Sequence, residues 1–308
     1  MYPPVLAIVG PTAVGKTLLS LHLSEIFQSE VVSADSRLVY QGMDIGTAKP
    51  TPQERALVPH HLIDVATPDE ALTLAQYQTL ARDAIDDVLS RGRLPLLVGG
   101  SGLYVRAVLE GWTIPQVPPD PQLRAVLERE SRQDDGIDLH RWLTTLDPLA
   151  ADRIDGRNVR RVIRALEVCL STGRPISRLQ MRQPPPYRIL RIGLTMPREM
   201  LYRRIDRRLE QMMAQGLVQE VEGLVAKGYG FDLPAMSGIG YRQIGLYLRG
   251  EATLEEAVAL VKRETRRFVR QQYTWFRLAD PQIRWFDAHL ASHLDAVRDT
   301  VREFLGNP

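Results

Sequence analysis

Val5-Leu6-Ala7-Ile8-Val9 runs directly into Gly10-Pro11-Thr12-Ala13-Val14-Gly15-Lys16-Thr17, after which Leu18, Leu19, Leu21, Leu23, Ile26 and Phe27 recur at helical spacing. An apolar run, a Gly-x-x-x-x-Gly-Lys-Thr loop and an amphipathic helix, in that order, spell strand, phosphate loop and helix. The glycines let successive backbone N–H groups wrap a phosphate at a helix N-terminus. Lys16 adds a point charge, and the Thr17 hydroxyl can ligate Mg²⁺. Gly10 to Thr17 is therefore expected to hold a diphosphate or triphosphate.

Further short apolar runs follow: Glu30-Val31-Val32-Ser33-Ala34-Asp35, Leu62-Ile63-Asp64-Val65, Leu94-Pro95-Leu96-Leu97-Val98 and Arg188 to Leu194, with a helical pattern over Leu72 to Leu89. Strands alternating with helices predict an α/β fold, a P-loop-type parallel sheet flanked by helices. Pro115, Pro118, Pro119 and Pro121 at one end and Pro184, Pro185 and Pro186 at the other bracket a helical stretch. The expected organisation is a catalytic core begun by residues 1–117, a helical insertion over 118–185, and a return strand with C-terminal helices over 186–308. From Glu199 onward the pattern reads as helix, with loops near Gly228 to Gly240 and Ala279 to Gln282.

The composition is that of an ordinary globular chain: 308 residues, 39 basic against 37 acidic side chains, 44% hydrophobic. The single cysteine, Cys169, excludes an intramolecular disulfide and any multi-cysteine zinc site. No apolar run approaches the roughly 18 to 20 residues of a membrane span, and Met1 to Gly10 lacks the basic start of a signal peptide. A soluble cytoplasmic protein with no membrane partner is expected, and nothing points to an obligate protein partner. The charge is uneven: the first 100 residues carry 7 basic and 11 acidic groups, the remainder 32 and 26. Arginine supplies 35 of the 39 cations, which suits bidentate phosphate recognition and equally a GC-rich genome.

The loop alone leaves open whether its ligand is a nucleoside triphosphate. Neither the Asn-Lys-x-Asp nor the Asp-x-x-Gly spacing of a regulatory GTPase occurs, which excludes that class. An ATPase should carry a metal-ordering acid after an apolar strand, whereas Leu96-Leu97-Val98 ends in Gly99-Gly100. Asp35 closes another such run at the edge where ligands of open α/β sheets bind, so it could order Mg²⁺ or act as a general base; a helix N-cap is the bland alternative. Basic clusters gather at Arg157, Arg160, Arg161 and Arg164, at Arg204 and Arg208, and at Arg263, Arg266, Arg267 and Arg270. One such cluster is a solvated face; three, beside a phosphate loop, point to a polyanion. His60-His61 has no partners at metal spacing and reads as structural. Trp275 and Phe276 read as the buried face of a helix, with base stacking as the alternative.

Taken together these motifs resemble the tRNA dimethylallyltransferases, also called tRNA isopentenyltransferases. The matching stretches are Gly10 to Thr17, Ser33 to Tyr40, Gly42-Met-Asp-Ile-Gly-Thr-Ala-Lys-Pro50, Pro59 to Asp64, Leu97 to Tyr104, Arg164 to Glu167, Gly238 to Arg242, and Arg266 through Arg277. The resemblance implies transfer of a dimethylallyl group from dimethylallyl diphosphate to the exocyclic amine of the adenosine 3′ of the anticodon in tRNA. In the family pattern Asp35 is the base, and Lys16, Thr17 and Arg204 handle diphosphate and Mg²⁺, with Ser101 beside them. The tRNA contacts map onto Asp35, Ser36, Arg37 and Leu38, onto Arg160, Arg161, Val162, Ile163 and Arg164, and onto Ser237, Gly238, Ile239, Gly240, Tyr241 and Arg242, with single contacts at Ser101 and near Arg124. Ser101 stands where threonine is usual and keeps the hydroxyl; Gln271 stands where the pattern is commonly basic, so one phosphate contact is expected to be missing. The zinc finger of eukaryotic members does not occur, which implies a bacterial or organellar type. A relative that prenylates free adenine nucleotides, an ATP-dependent kinase and a non-enzymatic RNA-binding module remain as alternatives.

Overall fold

The computed structural model describes residues 2–132 and 137–306. Six strands, β1 (Pro4–Val9), β2 (Ser29–Ser33), β3 (His60–His61), β4 (Leu94–Gly99), β5 (Arg188–Thr195) and β6 (Ile283–Asp287), form one sheet in the order β3-β2-β4-β1-β5-β6, every pairing parallel. Parallel neighbours need crossover connections, so both faces of the sheet are covered. The first four helices are α1 (Lys16–Phe27), α2 (Pro52–Leu57), α3 (Leu74–Ser90) and α4 (Gly102–Leu109). Alternation along β1 sorts the core: Leu6 and Ile8 pack with Leu19 and Leu23 of α1, while Val5, Ala7 and Val9 pack with Tyr77, Ala81 and Ile85 of α3. Helix α3 starts where Thr73 and Gln76 form a capping box.

Two strands depart from the sequence pattern. The run Leu62–Val65 does not form one; the strand lies just before it at His60–His61, because Leu62 and Asp64 take left-handed φ of 63° and 59°. Asp64 is held in that turn by Lys49 and Arg55 at 2.6 and 2.7 Å. His61 does not stand idle, since its Nε2 meets the buried Glu30 carboxylate at 2.7 Å. The second departure is β6, inside a region expected to be helical and loop: Ile283–Asp287 is an edge strand whose half-exposed residues give a weak pattern.

The chain divides into two compact units, one of residues 1–109 with 186–308 and one of Glu110–Pro185. The second unit opens before the expected residue 118, because Trp112 bridges antiparallel to Arg182 and the Gly111 backbone packs on Gln183. It contains α5 (Pro121–Ser131), α6 (Ile137–Leu146), α7 (Pro148–Arg153), α8 (Val159–Thr172) and α9 (Ile176–Leu179), around Leu127, Leu139, Leu143, Val162, Ile163 and Leu166. In the first unit α10 (Arg198–Ala214), α11 (Leu217–Ala226), α12 (Tyr241–Leu248), α13 (Leu254–Trp275) and α14 (His293–Gly306) complete the fold. Leu201 and Ile205 of α10 and Val297 and Val301 of α14 join α1 on its face of the sheet.

At the centre of the helical unit Glu167 is fully buried. It accepts from Arg124 Nε and Nη2, each at 2.8 Å, from Arg164 Nη1 at 2.7 Å and from the Asp120 backbone N–H at 2.8 Å. Burial opposes its ionisation, but these donors win and bring the carboxyl down to about 2. The folded pKa lies below the unfolded one, so the stabilisation is complete above the ordinary glutamate range near pH 4.3 and is lost as pH falls towards 2. Glu167→Ala should destabilise by about 2 to 3 kcal/mol at pH 7, because Arg124 and Arg164, each about a third exposed, and the Asp120 N–H lose their acceptor. Thermal unfolding of parent and variant checks this: the gap between them should narrow as pH is lowered from 5 to 2.5.

Candidate active site

The phosphate loop follows β1, and its first glycine is fixed by sterics. Gly10 has φ 140°, and a Cβ there would lie 2.4 Å from Leu194 O of the neighbouring strand. Lys16 curls back over the loop, its Nζ donating to Gly10 O at 3.0 Å and Pro11 O at 2.8 Å. Arg204 and Arg208, one turn apart on α10, reach the same loop: Arg204 Nη1 donates to Val14 O at 3.2 Å and Arg208 Nη1 to Thr12 Oγ1 at 3.4 Å. These groups and Thr17 line a cleft of about 1290 Å³ that continues along Gln41 to Arg55. Burial pushes the Lys16 ammonium down to about 8, with Arg208 adding to the effect and the negative charge of Asp35 opposing it. Arg208 is lowered by burial as well, again against Asp35. A cluster of cations at a helix N-terminus, with Lys16 and Arg208 partly withdrawn from solvent, is a site for a multiply charged anion.

Asp35 stands just past β2, and Ser101 just past β4, two strands that are neighbours in the sheet next to β1. Asp35 Oδ1 accepts from Arg37 N at 2.9 Å, so the carboxylate turns its own loop rather than capping a helix. Ser101 holds that loop from the other side: its N–H donates to Ala34 O at 3.2 Å and its hydroxyl accepts from Ser36 N at 3.0 Å. The approach demands Gly99, whose Cβ would meet Ala34 O at 2.0 Å. No acidic side chain fits at that strand end.

A second cavity, of about 280 Å³, also has Asp35 and Thr12 in its wall. Its lining combines the apolar Ile205, Leu209, Met212, Leu217, Val261 and Phe268 with Ser237 to Tyr241 and the charged Arg37 and Arg208. Arg37 joins the two loops, donating to Pro234 O at 2.9 Å, Ala235 O at 3.1 Å and Ser237 Oγ at 3.3 Å. Asp35, Ser36, Arg37, Ser101, Ser237, Gly238, Ile239, Gly240 and Tyr241 thus meet in one place, Leu38 borders the larger cleft and Arg242 is exposed on α12. The segment Gly42 to Pro50 is anchored by Glu220, whose carboxylate accepts from the N–H groups of Asp44, Ile45 and Gly46 at 2.7 to 3.0 Å.

The expected RNA face of α8 is narrower than its sequence suggests. Val162 and Ile163 are buried, so their side chains cannot meet a ligand, and Arg124 and Arg164 are committed to Glu167. Arg157 pairs with Asp155, leaving Arg160 and Arg161 as the exposed arginines of α8. On α13, Arg266 pairs with Asp206 at 2.6 Å, while Arg263 and Arg267 flank Glu264 at 3.3 and 3.8 Å and stay exposed, as do Arg270 and Gln271. Trp275 packs against Gly102 and Phe276 is buried. Two site residues carry little signal of their own. Arg208 shows itself only by its spacing from Arg204; Gln272, buried between the phosphate loop and Gly100, lies within the family-like stretch Arg266 to Arg277, which does not reveal its contacts.

The sequence pattern of the IPP transferase family matches residues 38–279. A tRNA dimethylallyltransferase of Roseiflexus castenholzii is 60% identical over 300 residues, covering 97% of this chain and 98% of the relative. The chain belongs to the IPP transferase family. Among solved structures, the tRNA isopentenylpyrophosphate transferase of Bacillus halodurans is 42% identical, with a TM-score of 0.74 and coverage of 98% of this chain and 97% of that one. A eukaryotic dimethylallyltransferase captured acting on tRNA is 26% identical, with a TM-score of 0.82 over 99% of this chain and 80% of its own.

For an IPP transferase the lowered Lys16 has a readable consequence. An anionic ligand needs the ammonium, which in the free protein is lost above about pH 8. An alkyl diphosphate, whose own last ionisation near pH 6 is by then complete, should bind with constant affinity from pH 7 to 8 and up to tenfold more weakly per unit above that. Lys16→Arg should abolish this decline, because the guanidinium stays charged. Titration calorimetry of the two proteins between pH 7 and 10 measures it.

Proposed function

We propose that the chain transfers a dimethylallyl group from dimethylallyl diphosphate to the exocyclic amine of the adenosine 3′ of the anticodon in tRNA, releasing diphosphate. The observation that carries this is the shared wall: Asp35 and Thr12 border both the cationic cleft and the smaller, largely apolar cavity. The relatives' names, tRNA dimethylallyltransferase and tRNA isopentenylpyrophosphate transferase, support the same donor and acceptor. A kinase would want an acid after β4, where Gly99 leaves it no room.

The chemistry follows from where charge moves. A nitrogen–carbon bond forms as the bond from the allylic carbon to the diphosphate oxygen breaks. The amine lone pair is delocalised into the adenine ring, so the amine becomes a competent nucleophile only if its proton leaves as the new bond forms. Asp35 takes that proton. The departing diphosphate gains negative charge beside Lys16, Arg204, Arg208 and the first turn of α1, which has no acidic residue to oppose it. Mg²⁺ suits this donor set: one hydroxyl, Thr17, together with phosphate oxygens and water is the hard, oxygen-only shell that the ion prefers, and among the described residues no cluster of acids or histidines would hold it without the phosphates. When bound, it would neutralise diphosphate charge. Arg160 and Arg161 in the helical unit and the exposed arginines of α13 supply phosphate contacts to the RNA. No helix among the described residues is long and apolar enough to cross a membrane, in keeping with an enzyme that meets tRNA in the cytoplasm.

Protein with Mg²⁺, dimethylallyl diphosphate and an anticodon stem-loop should yield prenylated adenosine and one diphosphate per turnover, with free AMP and ATP poor acceptors. Efficient prenylation of free nucleotides would move the reading to a small-molecule prenyltransferase. Asp35→Asn should lower kcat by about 10² to 10⁴ while the stem-loop still binds; recovery at high Mg²⁺ would make Asp35 a metal-ordering group instead. Arg160→Ala with Arg161→Ala should weaken RNA binding and flatten its log–log salt dependence by about one to two units, measured by filter binding across a salt series.

A further inference from the structure

We propose that Gln272 is a positioning residue for the transfer, setting the phosphate loop in register with the strand-end loops that carry Ser101 and Asp35. The inference rests on the prenyl-transfer reading above. Gln272 lies near the C-terminal end of α13, is 3% exposed, and spans two loops that sheet hydrogen bonds do not join. Its Oε1 accepts from Thr12 N at 2.9 Å, inside the phosphate loop, and its Nε2 donates to Gly100 O at 3.0 Å. The next residue, Ser101, holds Ala34 and Ser36 on either side of Asp35. One uninterrupted path of hydrogen bonds therefore runs from the loop that binds the leaving group, through the Gln272 amide, to the backbone flanking the base.

The side-chain type is dictated by what it must do. The two backbone groups are one donor and one acceptor, and an amide offers one of each at a fixed separation. Glutamate would set a second acceptor against Gly100 O, asparagine is a methylene too short, and an apolar side chain would leave a buried N–H and C=O unpaired. Gly100 is shaped to the same contact, since a Cβ there would lie 2.3 Å from Gln272 Nε2. A misplacement of about 1 Å between leaving group and base costs on the order of 100-fold in rate.

Gln272→Met and Gln272→Glu, assayed beside the parent with dimethylallyl diphosphate and the stem-loop, test this. Gln272→Met should lose about 10- to 100-fold in kcat with KM for both substrates within threefold. Gln272→Glu should lose as much at pH 8 and regain activity relative to the parent as pH falls to 6, because a buried carboxyl protonates readily and its O–H then restores the donor to Gly100 O. A Gln272→Met kcat within twofold of the parent, a loss carried by KM, or a glutamate-to-parent ratio flat with pH would overturn the proposal. An inactive parent would overturn the prenyl-transfer reading, and this proposal with it; an active parent beside an unimpaired variant overturns the positioning role alone.

Discussion

A partly buried ammonium with a guanidinium for a neighbour is an unfavourable arrangement, and the phosphate loop is built to hold it. Lys16 is drawn over its own loop because Gly10 O and Pro11 O accept hydrogen bonds from its ammonium, and that loop can pass under it only because Gly10 lies flush against the β5 backbone. Arg208 deepens the deficit of negative charge, and Asp35, across the strand ends, partly offsets it. Pre-organised positive charge is what a departing diphosphate needs, because nothing has to reorganise when the charge develops. The strands that carry the loop are anchored by a fully buried core, Leu6 and Ile8 on β1 and Leu96 and Leu97 on β4.

The same charge logic organises the helical unit in reverse. There the buried group is an anion, Glu167, and two arginines, Arg124 and Arg164, neutralise it. Arg160 and Arg161 share a helix with Arg164 yet differ in duty, since the neighbouring turn of α8 brings Glu167 under Arg164 and leaves the other two in solvent.

What could be read from the sequence was local. The phosphate loop, the central strands and α1 announce themselves within windows of about a dozen residues, where periodicity and glycine spacing carry the signal. Asp35 was legible because a strand end is a place as well as a residue. What escaped was set by partners far along the chain. Leu62–Val65 has a strand's composition but turns, since Lys49 and Arg55 seize Asp64; β6 is too short and too exposed to show alternation. Val162 and Ile163 sit within an arginine-rich stretch, and only the packing of α8 on α5 and α6 separates the buried face from the charged one. Gln272 meets Thr12 across 260 positions, a distance at which no pattern survives.

The pairing of Trp112 with Arg182 bears on how such a chain assembles. Helix α4 and strand β5 are separated by the whole of Glu110–Pro185, and closing so long a connection carries an entropic penalty that slows the search for a parallel strand pair. Once the helical unit has collapsed on its own apolar centre, its two ends are clasped side by side, and the connection behaves as a short turn. The unit can then acquire its shape first, from near-neighbour contacts, and hand the remaining chain a problem no harder than an ordinary crossover. A segment with clasped ends is also one that can be lengthened, shortened or exchanged without disturbing the sheet it interrupts, so that the scaffold and its helical insertion are free to diverge at different rates.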